Sequence, residues 1–179
     1  MFRVIAYTLF FLAGAAQAAL DIGEKAPDFT IDAALAGKVY KYSLAESLAK
    51  GPVVLYFFPA AFSWGCSYEA HSFAQAVKDF EALGASVIGV SGDSIETLSK
   101  FSVQECQNKF PVASDETKVI IKSFDALMQA RPDYANRISY VIAPNGRVVY
   151  QYTSLNPLKH VEKTLTALRT WVENKEKNK

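Results

Sequence analysis

The stretch between Pro52 and Gly84 restricts the possible folds more than any other part of the sequence. Residues 52–58 form an apolar run, rich in β-branched and aromatic side chains, with turn-forming residues at both ends. Such a run is typical of a buried central strand. Apolar residues then recur every three or four positions between Cys66 and Leu83, and Gly84 follows, which predicts an amphipathic helix ending at a glycine. This order favours an α/β fold with Cys66 in the first turn of a helix.

The turn between the predicted strand and helix surrounds a thiol with a recognisable pattern. Pro59, Ser63 and Cys66 have the spacing Pro-x-x-x-Ser-x-x-Cys. Backbone N–H groups at a helix start have no partner within the helix, and together with the helix macrodipole they favour an anion such as a thiolate. Cys66 is therefore predicted to be a reactive nucleophile rather than an inert core residue.

This turn and the blocks around it resemble the active-site region of the Q-type peroxiredoxins, also called bacterioferritin comigratory proteins. The matching blocks are Gly23–Phe29, Val54–Pro59, Gly65-Cys66, Glu69 and Leu83–Ser94. The similarity extends to the C-terminal helix. It implies a thioredoxin-like α/β fold, with a central mixed sheet flanked by helices and a small N-terminal hairpin. It also implies a thiol-dependent peroxidase that reduces hydrogen peroxide or organic hydroperoxides.

The resemblance assigns roles to four residues. Cys66 corresponds to the thiolate that attacks the peroxide and becomes a sulfenic acid, and Arg137 to the cation that stabilises it. Ser63 corresponds to a hydroxyl that orients the peroxide, and Pro59 to a proline that shields the thiolate from water. Such an attack needs a thiolate and donors for both peroxide oxygens. Trp64 replaces a proline common in the family at the pocket rim, and the resemblance implies neither a metal ion nor another cofactor.

The second cysteine leaves the resolving step open. Many Q-type members carry a resolving cysteine five positions after the first, where this sequence has His71. Other members place it in the helix after the second core strand. Cys106 is expected in that helix, on one face with Leu98 and Ser102. After oxidation, either Cys106 forms a disulfide with Cys66, or an external thiol resolves the sulfenic acid and Cys106 is inert.

Hydrophobic spacing and turn residues predict the remaining elements. They are a hairpin of residues 28–31 and 39–42, a short helix capped by Ser43, a strand over 86–91, a helix opened by residues 92–94, a helix over 117–130, a hairpin of residues 138–143 and 148–152, and a last helix with an apolar face from Leu158 to Val172. The charged tail from Glu173 is expected to fray. His160 has no evident partner.

The N-terminus has the pattern of a secretory signal peptide. Met1-Phe2-Arg3 provides a positive start, residues 4–15 an apolar segment, and Ala16-Gln17-Ala18 a cleavage site with small residues at both ends. Residues 1–18 are therefore predicted to be a signal peptide, and residues 19–179 are predicted to form a single domain that is exported to the bacterial periplasm. The alternative is an uncleaved membrane anchor, although the apolar stretch is short for a membrane span.

Composition and cysteine spacing narrow the classes of function. The chain has 19 basic and 18 acidic residues, which gives no electrostatic case for nucleic-acid binding. The expected partners are a peroxide and an exported thioredoxin-like or other dithiol reductant. No stable membrane association is expected after cleavage, and the expected state is a monomer or weak dimer.

Two other functions are alternatives to the peroxidase. One is a copper-binding or metallochaperone protein that uses Cys66 and a histidine, and the other is a catalytically silent scaffold. The lack of a Cys-x-x-Cys motif argues against a thiol–disulfide oxidoreductase.

Overall fold

The computed structural model describes residues 19–177, which form one seven-stranded mixed sheet flanked by helices. The strands are β1 (Thr30–Leu35), β2 (Lys38–Ser43), β3 (Val53–Phe57), β4 (Ser86–Ser91), β5 (Val112–Ser114), β6 (Ile138–Ile142) and β7 (Val148–Thr153). The helices are α1 (Leu44–Leu48), α2 (Trp64–Ala82), α3 (Ile95–Gln104), α4 (Val119–Ser123) and α5 (His160–Lys177), with a short 3-10 helix (Pro157–Lys159) before α5. The predicted signal peptide, residues 1–18, lies outside the described residues.

The sheet has the order β2-β1-β5-β4-β3-β6-β7. Strands β3, β4 and β5 run parallel, whereas β6 and β7 on one side and β1 and β2 on the other pair antiparallel. This arrangement confirms the predicted central mixed sheet with a small N-terminal hairpin. The carboxyl ends of the three parallel strands lie at the same edge of the sheet. The turn that leads to Cys66 begins there, at the end of β3.

Strand β3 is buried on both faces and separates two apolar clusters. Val53, Leu55 and Phe57 belong to the cluster that also contains side chains of α1 and α4. Val54 and Tyr56 face the opposite cluster, which contains side chains of α2, α3 and α5. Alternation of side chains along the strand produces this division. The continuous apolar run of the sequence is thereby explained, because a central strand covered on both faces needs no polar side.

Several predicted boundaries are wrong. The helix over residues 117–130 is reduced to α4, and strand β5 was not anticipated. Helix α3 ends at Gln104 with Glu105 as its C-cap, so Cys106 lies just beyond the helix and not within it. Leu158 lies in the 3-10 helix and is exposed, and α5 continues through the charged residues as far as Lys177. Within residues 19–177, no helix is long and apolar enough to cross a membrane.

Candidate active site

Cys66 is the third residue of α2 and is buried, with 1% of its surface exposed. The turn that leads to it from β3 contains Phe62 in a left-handed conformation (φ 61°), which reverses the chain ahead of the helix. The backbone N–H of Ala61 donates a 2.7 Å hydrogen bond to Asp93 Oδ2, and this bond ties the turn to the segment after β4. The thiol is thus held at a helix N-terminus by two neighbouring parallel strands, as the sequence predicts.

Arg137 lies immediately before β6, which pairs with β3 so that Ile138 is opposite Phe57 at the end of the strand. Its Nη2 donates a 3.3 Å hydrogen bond to Cys66 Sγ, and its Nε donates to the carbonyl oxygen of Leu155. The structure therefore brings together the two residues that the family resemblance assigns to the thiolate and its cation. Burial acts to lower the pKa of Arg137, but nearby negative groups outweigh it and raise the pKa above its ordinary value.

Gly65 permits this approach of the guanidinium. A Cβ atom on Gly65 would lie 3.2 Å from Arg137 Nη2 and 3.6 Å from Pro157 Cγ. The 3-10 helix and the Arg137 guanidinium therefore both pack against the first turn of α2 at Gly65. A larger residue at this position would push Arg137 away from the sulfur of Cys66.

Ser63 and Pro59 occupy the turn itself. Ser63 is the N-cap residue of α2 and is exposed, and its hydroxyl donates to the carbonyl oxygen of Ala60 at 3.0 Å rather than accepting from the helix. Pro59 is half-buried, two residues beyond the end of β3. Trp64 is 77% exposed and stacks on Tyr68 one turn further along, so the substitution of the family's proline adds an aromatic surface at the start of the helix.

Glu69 is a site residue for which the sequence analysis predicts no role. It lies one turn after Cys66 and is fully buried, and its Oε2 accepts a hydrogen bond from Arg137 Nη1. Its other oxygen, Oε1, has no hydrogen-bond partner among residues 19–177. Burial raises the pKa of the Glu69 carboxyl to about 8, although Arg137 acts in the opposite direction. Arg137 thus lies between a thiol and a carboxyl.

His160, for which the sequence showed no partner, belongs to the same buried cluster. Its Nδ1 lies 2.7 Å from Ser139 Oγ and 3.5 Å from Glu69 Oε1, and its Nε2 lies 2.8 Å from the carbonyl oxygen of Ser154. Burial lowers the pKa of His160 to about 4, and Arg137 contributes in the same direction. The Glu69 that follows Cys66 in the resembling motif was a possible signal for this cluster, but nothing in the sequence linked His160 to it.

Cys106 is a buried free thiol in the same apolar cluster as Cys66. Burial raises its pKa, so within the intact fold it is a poor nucleophile. Tyr56, whose hydroxyl has no hydrogen-bond partner within the residues that the structure describes, interacts electrostatically with both thiols. His71 pairs with Glu105 at 3.0 Å and so joins α2 to the end of α3, next to Cys106.

The comparison with known families agrees with this geometry. Residues 22–151 match the sequence profile of the AhpC/TSA family. The chain belongs to this family. Its relatives include the putative peroxiredoxin YkuU of Bacillus subtilis, which is 32% identical over 83% of this chain and 87% of its own length. A chloroplastic peroxiredoxin Q of Oryza sativa subsp. japonica is 32% identical over 83% of this chain and 66% of its own length.

Solved structures confirm the fold of this peroxiredoxin. The peroxidoxin BcpB of Mycobacterium tuberculosis superposes with a TM-score of 0.75 at 28% identity, over 83% of this chain and 96% of that chain. The thioredoxin-like fold, the peroxiredoxin assignment with Q-type proteins among its relatives, and a thiol-dependent peroxidase function are thereby confirmed. Peroxiredoxins use peroxide substrates and thioredoxin-type reductants.

The copper-binding alternative gains no support from these relatives. Among residues 19–177, no group of three histidine, cysteine, aspartate or glutamate side chains is placed to hold a metal ion. Cys66 instead has a guanidinium as its polar neighbour. A cation at this position repels a metal ion and favours the bare thiolate that peroxide reduction requires.

Proposed function

We propose that this peroxiredoxin reduces peroxides by attack of the Cys66 thiolate, with Arg137 as the group that stabilises both the thiolate and the transition state. The observation that carries the proposal is the 3.3 Å contact between Arg137 Nη2 and Cys66 Sγ at the start of α2. A guanidinium offers several rigid donors, so it can hold the sulfur and a peroxide oxygen together. Ser63 would orient the peroxide, and Pro59 would limit the access of water.

The first step is a two-electron transfer from sulfur to oxygen. The Cys66 thiolate forms an S–O bond with one peroxide oxygen, and the O–O bond breaks. The departing oxygen takes a proton and leaves as water or an alcohol, while Cys66 becomes a sulfenic acid. Negative charge moves from the sulfur to the departing oxygen, so the fixed donors of Arg137 and of the α2 N-terminus are useful throughout the step.

For the second step, we propose that Cys106 resolves the sulfenic acid. The Cys106 sulfur would attack Cys66 Sγ, and water would leave as the disulfide forms. The two Cα atoms must come within about 7 Å of each other, so the first turn of α2 has to unwind if they are farther apart. Gln107 and Asn108, directly after Cys106, both have left-handed conformations (φ 53° and 60°), which supports a local rearrangement of this turn.

Export and the reductant are part of the same proposal. Residues 1–18 would be removed as a signal peptide, and the mature protein would act in the bacterial periplasm. A disulfide is compatible with that oxidising compartment. An exported thioredoxin-like or other dithiol protein would then reduce the Cys66–Cys106 bond by thiol–disulfide exchange, and the enzyme would act as a monomer or weak dimer.

Intact mass after one equivalent of hydrogen peroxide tests the proposal, with wild type beside Cys66→Ser and Cys106→Ser. Rapid loss of two hydrogens, abolished by either substitution, is the expected result. Gain of oxygen on Cys66 in the wild type would retain the peroxidase and exclude Cys106 as the resolving group. If Cys66 stays reduced for minutes while a free small thiol is consumed, the assignment of Cys66 is wrong.

A further inference from the structure

The buried groups behind Arg137 contain more acceptors than donors. The carbonyl oxygen of Ser154 can only accept, so His160 Nε2 must carry the hydrogen of their 2.8 Å contact. In the neutral imidazole, Nδ1 is then an acceptor and receives the single hydroxyl hydrogen of Ser139 at 2.7 Å. Glu69 Oε1 faces the same Nδ1 at 3.5 Å, and no group in the described part of the chain donates a hydrogen bond to it.

An ionised Glu69 would conflict with this arrangement. Its buried, unpaired oxygen would face the lone pair of His160 Nδ1, and a buried anionic oxygen without a donor is costly. One additional proton lessens the conflict: on the carboxyl of Glu69 it removes the negative charge of the unpaired oxygen, and on Nδ1 of His160 it gives that oxygen a donor. The cluster is therefore built to hold one proton more than an ionised carboxylate and a neutral imidazole would carry.

Burial decides which group holds that proton. It raises the pKa of Glu69 to about 8 and lowers the pKa of His160 to about 4, so the carboxyl takes the proton at neutral pH. The charged and titratable groups that face His160 are Glu69 from α2, Arg137 from the start of β6, and Tyr152 from β7, whose ring lies 4.8 Å away. The positive charge of Arg137 also disfavours an imidazolium.

We propose that His160 is a positioning residue that keeps Glu69 protonated, so that the charge of Arg137 acts on the Cys66 thiolate. A neutral Glu69 still accepts the hydrogen bond of Arg137 Nη1 and fixes the guanidinium in place. It does not compete with the thiolate for the positive charge. An ionised Glu69 would form the stronger ion pair and weaken the hold of Arg137 on the sulfur. The inference rests on the proposed role of Cys66.

The protonation states can be measured without any peroxidase assay. In the reduced protein with labelled histidine, nitrogen NMR is expected to show His160 as a neutral ring with the hydrogen on Nε2 near pH 7. Infrared difference spectra between wild type and Glu69→Gln are expected to show a protonated carboxyl band at the same pH. A carboxylate band from Glu69, or a protonated Nδ1 on His160, would overturn the inference and leave the function of Cys66 untouched.

Kinetics then test whether His160 acts through Glu69. In His160→Asn, the amide N–H can donate to Glu69 and stabilise its carboxylate. Oxidation of Cys66 by peroxide near pH 7 is expected to slow by about tenfold in the wild-type background and much less in Glu69→Gln. An equal loss in both backgrounds would show a merely structural role and overturn the inference. His71→Asn changes the other histidine at the surface and serves as the matched control.

A second measurement applies if His160→Asn does not fold. The wild-type oxidation rate is expected to decline as the pH rises through about 8, because Glu69 ionises there. The Glu69→Gln variant should lack this decline. The same alkaline decline in both proteins would overturn the inference, whereas failure of Cys66 to react with peroxide at any pH would instead contradict the proposed function.

Discussion

The substitution Glu69→Gln should change how the stability of this peroxiredoxin depends on pH. Glu69 is fully buried, and burial raises the pKa of its carboxyl from 4.5 to about 8. Between these pH values the folded protein binds a proton that the unfolded chain releases. The free energy of unfolding therefore falls as the pH rises through this window. Glutamine keeps the shape and an acceptor oxygen for Arg137 but cannot titrate.

The size of the change in the free energy of unfolding follows from the titration of two buried groups, Glu69 and His160. For Glu69 the full loss between pH 4.5 and 8 amounts to about 5 kcal/mol. His160 acts in the opposite sense, because burial lowers its pKa from 6.5 to about 4, and its contribution rises with pH by about 3 kcal/mol over that window. The two effects cancel where the windows overlap. Wild type should therefore lose about 2 kcal/mol between pH 6.5 and 8, where only Glu69 of this pair titrates.

Urea unfolding at pH 4.5, 6.5 and 8, with a reductant that keeps both thiols free, measures these differences. In Glu69→Gln the free energy of unfolding should no longer fall above pH 6.5. Below pH 6.5 it should rise with pH because of His160, a rise that Glu69 cancels in the wild type. The matched control is Glu81→Gln, which removes an exposed carboxylate from the same helix and should follow the wild type.

Parallel stability curves for wild type and Glu69→Gln between pH 6.5 and 8 would refute this reasoning. Such a result would mean that Glu69 is already ionised in the folded protein at pH 6.5 and that Arg137 outweighs burial. A decline that disappears equally in Glu81→Gln would locate the titration elsewhere on the helix.

Substitutions at three further positions have expected outcomes. Arg137→Gln should slow oxidation of Cys66 by about 10² to 10³, because a fixed cationic donor is lost from the reacting sulfur, and stopped-flow peroxide consumption measures it. Asp93→Ala should lower the free energy of unfolding by about 2 kcal/mol, since Oδ2 holds the backbone N–H of Ala61, and Asp93→Asn should retain part of that bond in urea unfolding. Gly51→Ala should cost about 3 kcal/mol in the same assay, because its Cβ would lie 2.1 Å from the Gly84 carbonyl oxygen.

Elements with a strong local pattern could be predicted from the sequence. The run of residues 52–58 became β3, and the three-and-four spacing after Cys66 became α2, because both faces of the strand and one face of the helix are buried in the core. Ser43 and Ser94 cap α1 and α3 through their side chains, as short polar residues before an apolar repeat predict. Local chemistry decides these elements, so local patterns are sufficient to find them.

Residues 117–130 failed as a helix because distant parts of the chain take their backbone groups. The hydroxyl of Tyr140 donates to the carbonyl oxygen of Phe124. The backbone N–H of Asn136 donates to the carbonyl oxygen of Ala126. Asp125, between them, adopts a left-handed conformation (φ 51°) that ends α4. Strand β5 was missed for a similar reason. Its three residues form a strand only because β1 and β4 lie on either side.

The position of Cys106 also could not be predicted from the local sequence pattern. The spacing from Leu98 to Cys106 fits a helix, but the backbone N–H of Cys106 donates to Phe101, five residues back, and left-handed residues follow it. The thiol consequently lies in an irregular turn that follows α3, between the C-cap residue Glu105 and two left-handed residues. A cysteine inside a regular helix would need a larger unfolding step before it could reach Cys66.

The polar cluster behind the thiol follows from topology rather than from any single motif. Antiparallel pairing of β6 with β3 sets Arg137 beside the first turn of α2, and the buried start of α5 brings His160 to the other side of Glu69. Each residue alone suggests an ordinary surface charge or core histidine. Together they form a low-dielectric site in which one cation faces a thiol and a carboxyl, so the protonation of the carboxyl controls how much of the positive charge reaches the sulfur. The reactivity of Cys66 thus depends on residues that only the folded chain brings together.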